Sequence, residues 1–450
     1  MVRALAFFLF IALTAENFAE FPFANRWSTF MRPIGDILHK RLPIGVTGLH
    51  FLVFVWCLVL MVRRRGQTAR VRALDRALWL NLGTMAFMVI YGSLNGGRFM
   101  FALLQVNTFI FLPITAFLFL HGARTPTDFR LLGKTIVAAA LFRGVLAVYF
   151  RYVIVPVEFE TVPATLTTHA DTMLFATATI IAISSGIEQR KRSVVIPAAL
   201  LTAFLLFVIL INGRRLGFVS VAGSCLVLYA ILRRDLRRRI NKWLIVLAPL
   251  LLVYAAVGWN STHTIFKPVH SFATILGSHE DASSQTRNIE NYNLIITLSK
   301  NKLLGRGWGH EYDEVSVAYS VAEAFSVYRY IPHNMVLGIW AFLGVVGSTG
   351  VWLVFVVGAF LGARAYHYSR TPLERVISAV ALCEFVIYGQ QAYGDMGVIA
   401  WNGNMLAGVA LAAASRMAVH TRAMAPPNSQ APGARGAKPT SSGRLGSAAA

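Results

Sequence analysis

Run after run of about 20 mostly apolar residues dominates this chain, the length needed to cross the hydrocarbon core of a bilayer as a helix. Lipid offers an open backbone no hydrogen bonds, so such runs must satisfy their N–H and C=O groups internally. Of 450 residues 56% are hydrophobic and only 14% charged, against roughly 25% charged in soluble domains. The pattern predicts an all-α polytopic membrane protein with about twelve transmembrane helices. They fall near residues 4–20, 43–62, 77–95, 99–120, 131–153, 171–187, 193–212, 216–232, 243–259, 333–361, 375–396 and 400–418. The first run, Ala4 to Phe18, has the length of a signal peptide but lacks a small-x-small cleavage site, and is read as a helix.

Charge orients these helices. With Met1 inside, the inner segments carry Arg63-Arg64-Arg65, Arg190-Lys191-Arg192, Arg233-Arg234, Arg237-Arg238-Arg239 and a basic tail. Together with the inner helix ends they take 27 of the 42 Lys and Arg and 5 of the 20 acids, hence the whole formal charge of +22. Short-loop cations stay in the cytoplasm, so both termini are expected there. Membrane topology thus accounts for the basic character, and no nucleic-acid partner is expected.

Four regions follow: helices 1–9 over residues 1–259, an outer loop over 260–332, helices 10–12 over 333–420, and a tail over 421–450. The tail is rich in Pro, Gly, Ser and Ala and reads as a disordered cytoplasmic segment. No internal repeat of the inverted-transporter kind is visible. Cys57, Cys225 and Cys383 lie far apart in apolar runs and form neither a disulfide framework nor a metal motif.

Cations on the outer side oppose the topology signal. Arg214 and Arg215 occupy the tight turn Asn212-Gly213-Arg214-Arg215-Leu216-Gly217 between helices seven and eight. They suit either snorkelling to lipid phosphate or a phosphorylated ligand, whose geometry the guanidinium fork matches. In the outer loop Arg287 precedes an amphipathic stretch, Asn288 to Leu298, able to lie on the membrane surface. The run Gly305-Arg306-Gly307-Trp308-Gly309 lacks the strand and the Lys-Ser/Thr of a nucleotide loop. Pro332 permits a helix start, which holds His333 at the outer mouth of helix ten. The other loop histidines, His263, His270, His279 and His310, have no tight ligand spacing, so no metal is expected. Arg143 lies mid-span in helix five, with Arg151 nearer its outer end. Glu384 is the acid nearest Arg143 in depth, whereas Asp171 and Asp395 fall near outer helix ends. An intramembrane charge faces a partner or a wet cavity; both readings stand.

These residues resemble the O-antigen ligase and O-antigen polymerase superfamily. His333-Asn334, nine residues, then Gly344-Val345-Val346-Gly347 fits its H[NSQ]-x9-G-x-x-G pattern. Arg287 through Leu304-Gly305-Arg306-Gly307-Trp308-Gly309 is similar to its "R…PllGvGfg" segment, and Gly213-Arg214-Arg215 stands where the family has Gly-Ser-Arg. Arg214 in place of serine, Lys302 in a proline region and Arg306 between the glycines depart from the pattern.

The resemblance implies a GT-C-like fold and metal-independent, cofactor-free glycosyl transfer on the periplasmic face of a bacterial inner membrane. The donor would be a glycan on undecaprenyl pyrophosphate. In a ligase the acceptor is a sugar hydroxyl of lipid A–core; in a polymerase it is a second polyprenyl-linked glycan. The ligase is favoured. His333 would be the catalytic residue, orienting or deprotonating the acceptor hydroxyl; Arg215, Arg287 and Arg214 would bind the pyrophosphate, and Arg143, Arg151, Arg306 and Asn334 would line or support the cavity. A flippase would line its path with charges through the full membrane depth, whereas here the unusual residues gather at the outer surface.

Overall fold

A computed structural model describes residues 1–15, 47–63, 71–107, 109–161, 163, 165–261, 263–269, 273, 282–317, 326–394 and 401–424. Asp395, His270, His279 and the tail beyond 424 lie outside them. Among the described residues the fold is all-helical. In chain order the helices are α1 (Val2–Thr14), α2 (Gly48–Arg63), α3 (Arg72–Leu94), α4 (Phe99–Val106) and α5 (Phe111–Gly122). Then come α6 (Pro126–Tyr149), a π turn (Phe150–Ile154), α7 (Val155–Glu158), α8 (His169–Gln189), α9 (Arg192–Asn212), α10 (Arg215–Ile231) and α11 (Arg234–Gly258). The chain continues through α12 (Ala282–Lys300), α13 (Met335–Tyr368), α14 (Pro372–Gly394) and α15 (Trp401–His420).

Six of the described helical segments are long and apolar enough to span a bilayer, namely α3, α6 with its extension to Val157, α8, α9, α11 and α13. α1, α2 and α10 are apolar but shorter. Packing explains why α14 and α15 are less apolar. α15 is enclosed by α5, α13 and α14 and buries Trp401 through Ala418, so its neighbours are protein rather than lipid. α11 is the opposite case, with none of its apolar window buried.

Local chemistry sets several boundaries. Thr125 caps α6 in a capping box with Asp128, and Pro126 opens the first turn. Gly213 ends α9 at φ +79°, the left-handed conformation that glycine adopts without a Cβ penalty. Gly217 lets α10 close on its neighbours, since a Cβ there would stand 2.8 Å from Ile209.

Two expected single helices are interrupted. Residues 99–120 form two helices, α4 and α5, which together are long and apolar enough for one span but are bent by 44° at the break between them. α13 breaks at Gly344, whose φ of 61° and ψ of −169° are non-helical. The break frees backbone groups inside the membrane, and residues 302–307 meet them. Val345 and Val346 donate to the carbonyls of Lys302 and Leu303 at 2.9 and 3.1 Å, and Gly307 donates to Phe342 at 2.8 Å. Trp308 donates to Met88 of α3 at 3.1 Å, and Gly309 to the Gln105 side chain at 2.6 Å. Gly305, Gly307 and Gly309 all have positive φ, and a Cβ on Gly305 would lie 2.1 Å from the Phe342 carbonyl. The glycine run is therefore a strut that bolts the loop into the break.

Candidate functional site

The strut leaves α12 packed beside the start of α13. The inward face of α12 is polar: Glu290, Asn293 and Thr297 are buried along with Leu294, while Tyr292 and Ile295 are exposed. Asn293 accepts from the backbone of Val315 and Ser316 at 3.0 and 3.1 Å, and Thr297 accepts from Asp313 at 2.7 Å. Those bonds hold the loop segment 313–316 against the helix.

Glu290 is the residue that sequence reasoning missed. Its Oε2 accepts from the His333 backbone N–H at 3.0 Å and lies 3.1 Å from His333 Nδ1. The Glu290 side chain is 2% exposed and that of His333 22%. With Nδ1–H directed at the carboxylate, Nε2 keeps its lone pair; this is how a second group selects a tautomer. The next residue repeats the arrangement, because Asn334 donates to Asn291 Oδ1 at 3.0 Å. Asn334 also caps α13, its Oδ1 accepting from Leu337 at 3.1 Å. The one available signal was the Arg287-x-x-Glu290 spacing, which puts both residues on one helical face.

Arg287, one turn before Glu290, has no hydrogen-bond partner among the described residues. Its charge acts on Arg215 at the start of α10: partial burial, then repulsion from Arg287, holds the Arg215 guanidinium below its ordinary range. Lys267, also missed from the sequence, belongs to the same group. Burial lowers it first, followed by the charges of Arg151 and Arg215. Arg151, Lys267, Arg215 and Arg287 are thus within electrostatic reach of one another in succession. Gathering cations at partial burial is costly, and an anion between them relieves that cost.

Arg214 turns another way. Its Nε donates to the Thr167 carbonyl at 3.0 Å, and its Nη1 lies 2.7 Å from His169 Nδ1. Arg214 fastens the turn to the segment before α8. Arg143 braces the same region through a bidentate pair with Asp171, Nε to Oδ1 at 2.7 Å and Nη2 to Oδ2 at 2.6 Å, both side chains fully buried. Its partner is Asp171 and not Glu384, which instead accepts from Thr177 Oγ1. Asp171 lies in the first turn of α8, which packs beside α6, a pairing that depth counted along each helix does not reveal. Arg306 pairs with Asp313 at 2.6 Å and Lys300 reaches the same carboxylate at 3.0 Å. Partial burial works against ionisation there, but hydrogen bonds from Lys300 and Arg306 hold the Asp313 carboxyl below its usual range. Arg306 therefore stiffens the loop. Among the described residues no three His, Cys, Asp or Glu side chains group as metal ligands.

Fold and site together define a helical membrane protein whose imidazole–carboxylate pair and cation group stand toward the ends of its helices and on the segments between them. Residues 200–351, which contain the whole of that site except Arg151, match the family model described as O-antigen ligase. That match covers about a third of the chain and supports the O-antigen ligase superfamily, with a glycosyl-transfer function of the ligase and polymerase type. No curated protein matches the chain.

Proposed function

We propose that the protein is an O-antigen ligase, moving a glycan from undecaprenyl pyrophosphate to a sugar hydroxyl of lipid A–core. The observation that carries the mechanism is that Arg287 and Glu290 share one helix, so the cations and the His333 base converge through α12. Arg215 and Arg287 bind the donor pyrophosphate and stabilise the negative charge that builds as the glycosidic bond breaks. Lys267 and Arg151 extend that field. Arg214, fastened to Thr167 and His169, positions the turn and leaves the donor to Arg215. His333 Nε2 takes the acceptor proton while Glu290 supports the imidazolium. The acceptor oxygen attacks the anomeric carbon and undecaprenyl pyrophosphate leaves. No step calls for a metal.

The reading includes a twelve-span, GT-C-like arrangement in the inner membrane with both termini in the cytoplasm and the site in the periplasm. Residues 260–332 then form the periplasmic loop and 421–450 a cytoplasmic tail. A polymerase would share donor and cations, so the acceptor decides between the two. Deletion in the native host, followed by electrophoresis of its lipopolysaccharide, tests the choice. Bare core with accumulated lipid-linked polymer is expected. Core bearing a single repeat unit would instead assign a polymerase.

A further inference from the structure

A cavity of about 380 Å³, which His333 does not line, lies between α6, α8, α9, α14 and α15. Its volume is within the roughly 300–1,000 Å³ of small-molecule sites. The walls are apolar, with Ile136, Val137, Ile181, Pro197, Leu201 and Val380 among the lining side chains. Arg130 and Lys134 stand at one end, both exposed and neither with a charged or hydrogen-bonding partner among the described residues. Their spacing of four puts them on one face of α6, and the polar Gln189 and Ser193 lie at the same end. The other end is closed by Glu384. Its Oε2 accepts from Thr177, while its buried Oε1 has no partner among the described residues.

Depth identifies the occupant. From Gln189 at the mouth to Thr177 at the closed end, α8 covers twelve residues, about 18 Å at 1.5 Å per residue. That is close to one leaflet of a hydrocarbon core about 30 Å thick. A cation pair at the surface and an apolar slot one leaflet deep fit an amphiphile with a phosphate head and an acyl chain. Basic pockets between helices on the cytoplasmic side hold such heads.

We infer that this cavity binds one anionic glycerophospholipid, with its phosphate on Arg130 and Lys134 and an acyl chain reaching inward toward Glu384. The inference rests on the proposed orientation only for the leaflet that supplies the lipid.

Native mass spectrometry of the full-length protein, released from nanodiscs of equal phosphatidylglycerol and phosphatidylethanolamine, tests it. Phosphatidylglycerol should be retained over phosphatidylethanolamine. Arg130→Ala with Lys134→Ala should lower that retention by about 30-fold, since each surface cation is worth about 1 kcal/mol toward anionic lipid. Gly133→Phe should remove it by filling the slot, because a Cβ at Gly133 meets nothing within 4 Å. Gly133→Leu replaces it if the larger side chain lowers folded yield. Equal retention of both lipids, or unchanged phosphatidylglycerol retention in the double alanine or the filled variant, would overturn the site. Lipid retention is read without a donor or an acceptor, so its failure is separable from failure of the transferase reading.

Discussion

Glu290 holds His333 at two points, through the backbone N–H at 3.0 Å and the ring Nδ1 at 3.1 Å, both on the same carboxylate oxygen. Position and tautomer of the imidazole are therefore set by one buried side chain. Because Glu290 touches neither donor nor acceptor in the proposed reaction, it acts as a positioning residue. Glu290→Gln can keep an accepting oxygen at both bonds but carries no charge to support an imidazolium. Turnover should fall by about 10²–10⁴, the range of general base catalysis, with KM for donor little changed. Glu290→Ala should also lower the thermal midpoint, since it removes both bonds. Equal activity of Glu290→Gln and wild type would show that the carboxylate serves only the fold.

The two arginines of the α9–α10 turn should separate cleanly. Arg215→Lys keeps a charge but loses the planar fork, and should still impair transfer. Arg214→Ala breaks bonds to Thr167 and His169, which predicts a stability loss of about 1–3 kcal/mol with most of the activity per folded molecule kept. Initial rates and thermal midpoints of both variants, at matched protein levels, check this. If Arg214→Ala abolishes turnover while Arg215→Ala does not, the donor contact belongs to Arg214.

Helices were legible in the sequence because a bilayer imposes a length and a hydropathy that no loop shares. Arg287 was legible as a candidate because the topology rule makes an outer cation anomalous, and His333 because Pro332 fixes it at the start of a helix. Glu290 was not, since an acid on an amphipathic loop helix reads as a solvent face; only the fold shows that this face packs inward. Arg143 and Asp171 sit 28 residues apart on different helices, and depth counted along each helix cannot report how the helices lean. The Gly305–Gly309 run resembled a phosphate loop because both uses exploit the same freedom of φ, with the ligand here replaced by the backbone of α13.

Gly344 should tolerate no side chain. Its φ of 61° and ψ of −169° lie in a region essentially reserved for glycine, and a Cβ would meet the Leu303 carbonyl at 2.4 Å. Gly344→Ala is expected to cost at least about 1–3 kcal/mol and to loosen the 302–307 strut. A lower thermal midpoint together with faster hydrogen exchange at residues 302–309 would be the signature. An unchanged midpoint would mean that the break in α13 does not persist in the membrane.

Orientation is open to a direct check. A reporter active only in the periplasm should stay silent when fused after Ala450 and be active when inserted within 265–330. The prediction follows from the arginine-rich segments occupying one face. The reverse pattern would move the His333 site to the cytoplasm and remove the lipid-linked donor from its reach.

His333 carries the heaviest mechanistic weight, and two substitutions divide its roles. Holding an acceptor hydroxyl at the anomeric carbon can lower a barrier by about 7–11 kcal/mol through positioning alone. Taking the proton contributes a further factor of roughly 10²–10⁴. His333→Gln preserves hydrogen bonding without basicity, whereas His333→Ala removes both and leaves the buried Glu290 carboxylate, among the described residues, with the backbone N–H at residue 333. If the imidazole is the base, both variants should lose at least that factor in turnover, with donor affinity retained because Arg215 and Arg287 remain. Near-wild-type turnover in His333→Gln beside an inactive His333→Ala would assign orientation alone. Near-wild-type turnover in both would leave His333 as an anchor for the start of α13, and the proton would have to go to another base.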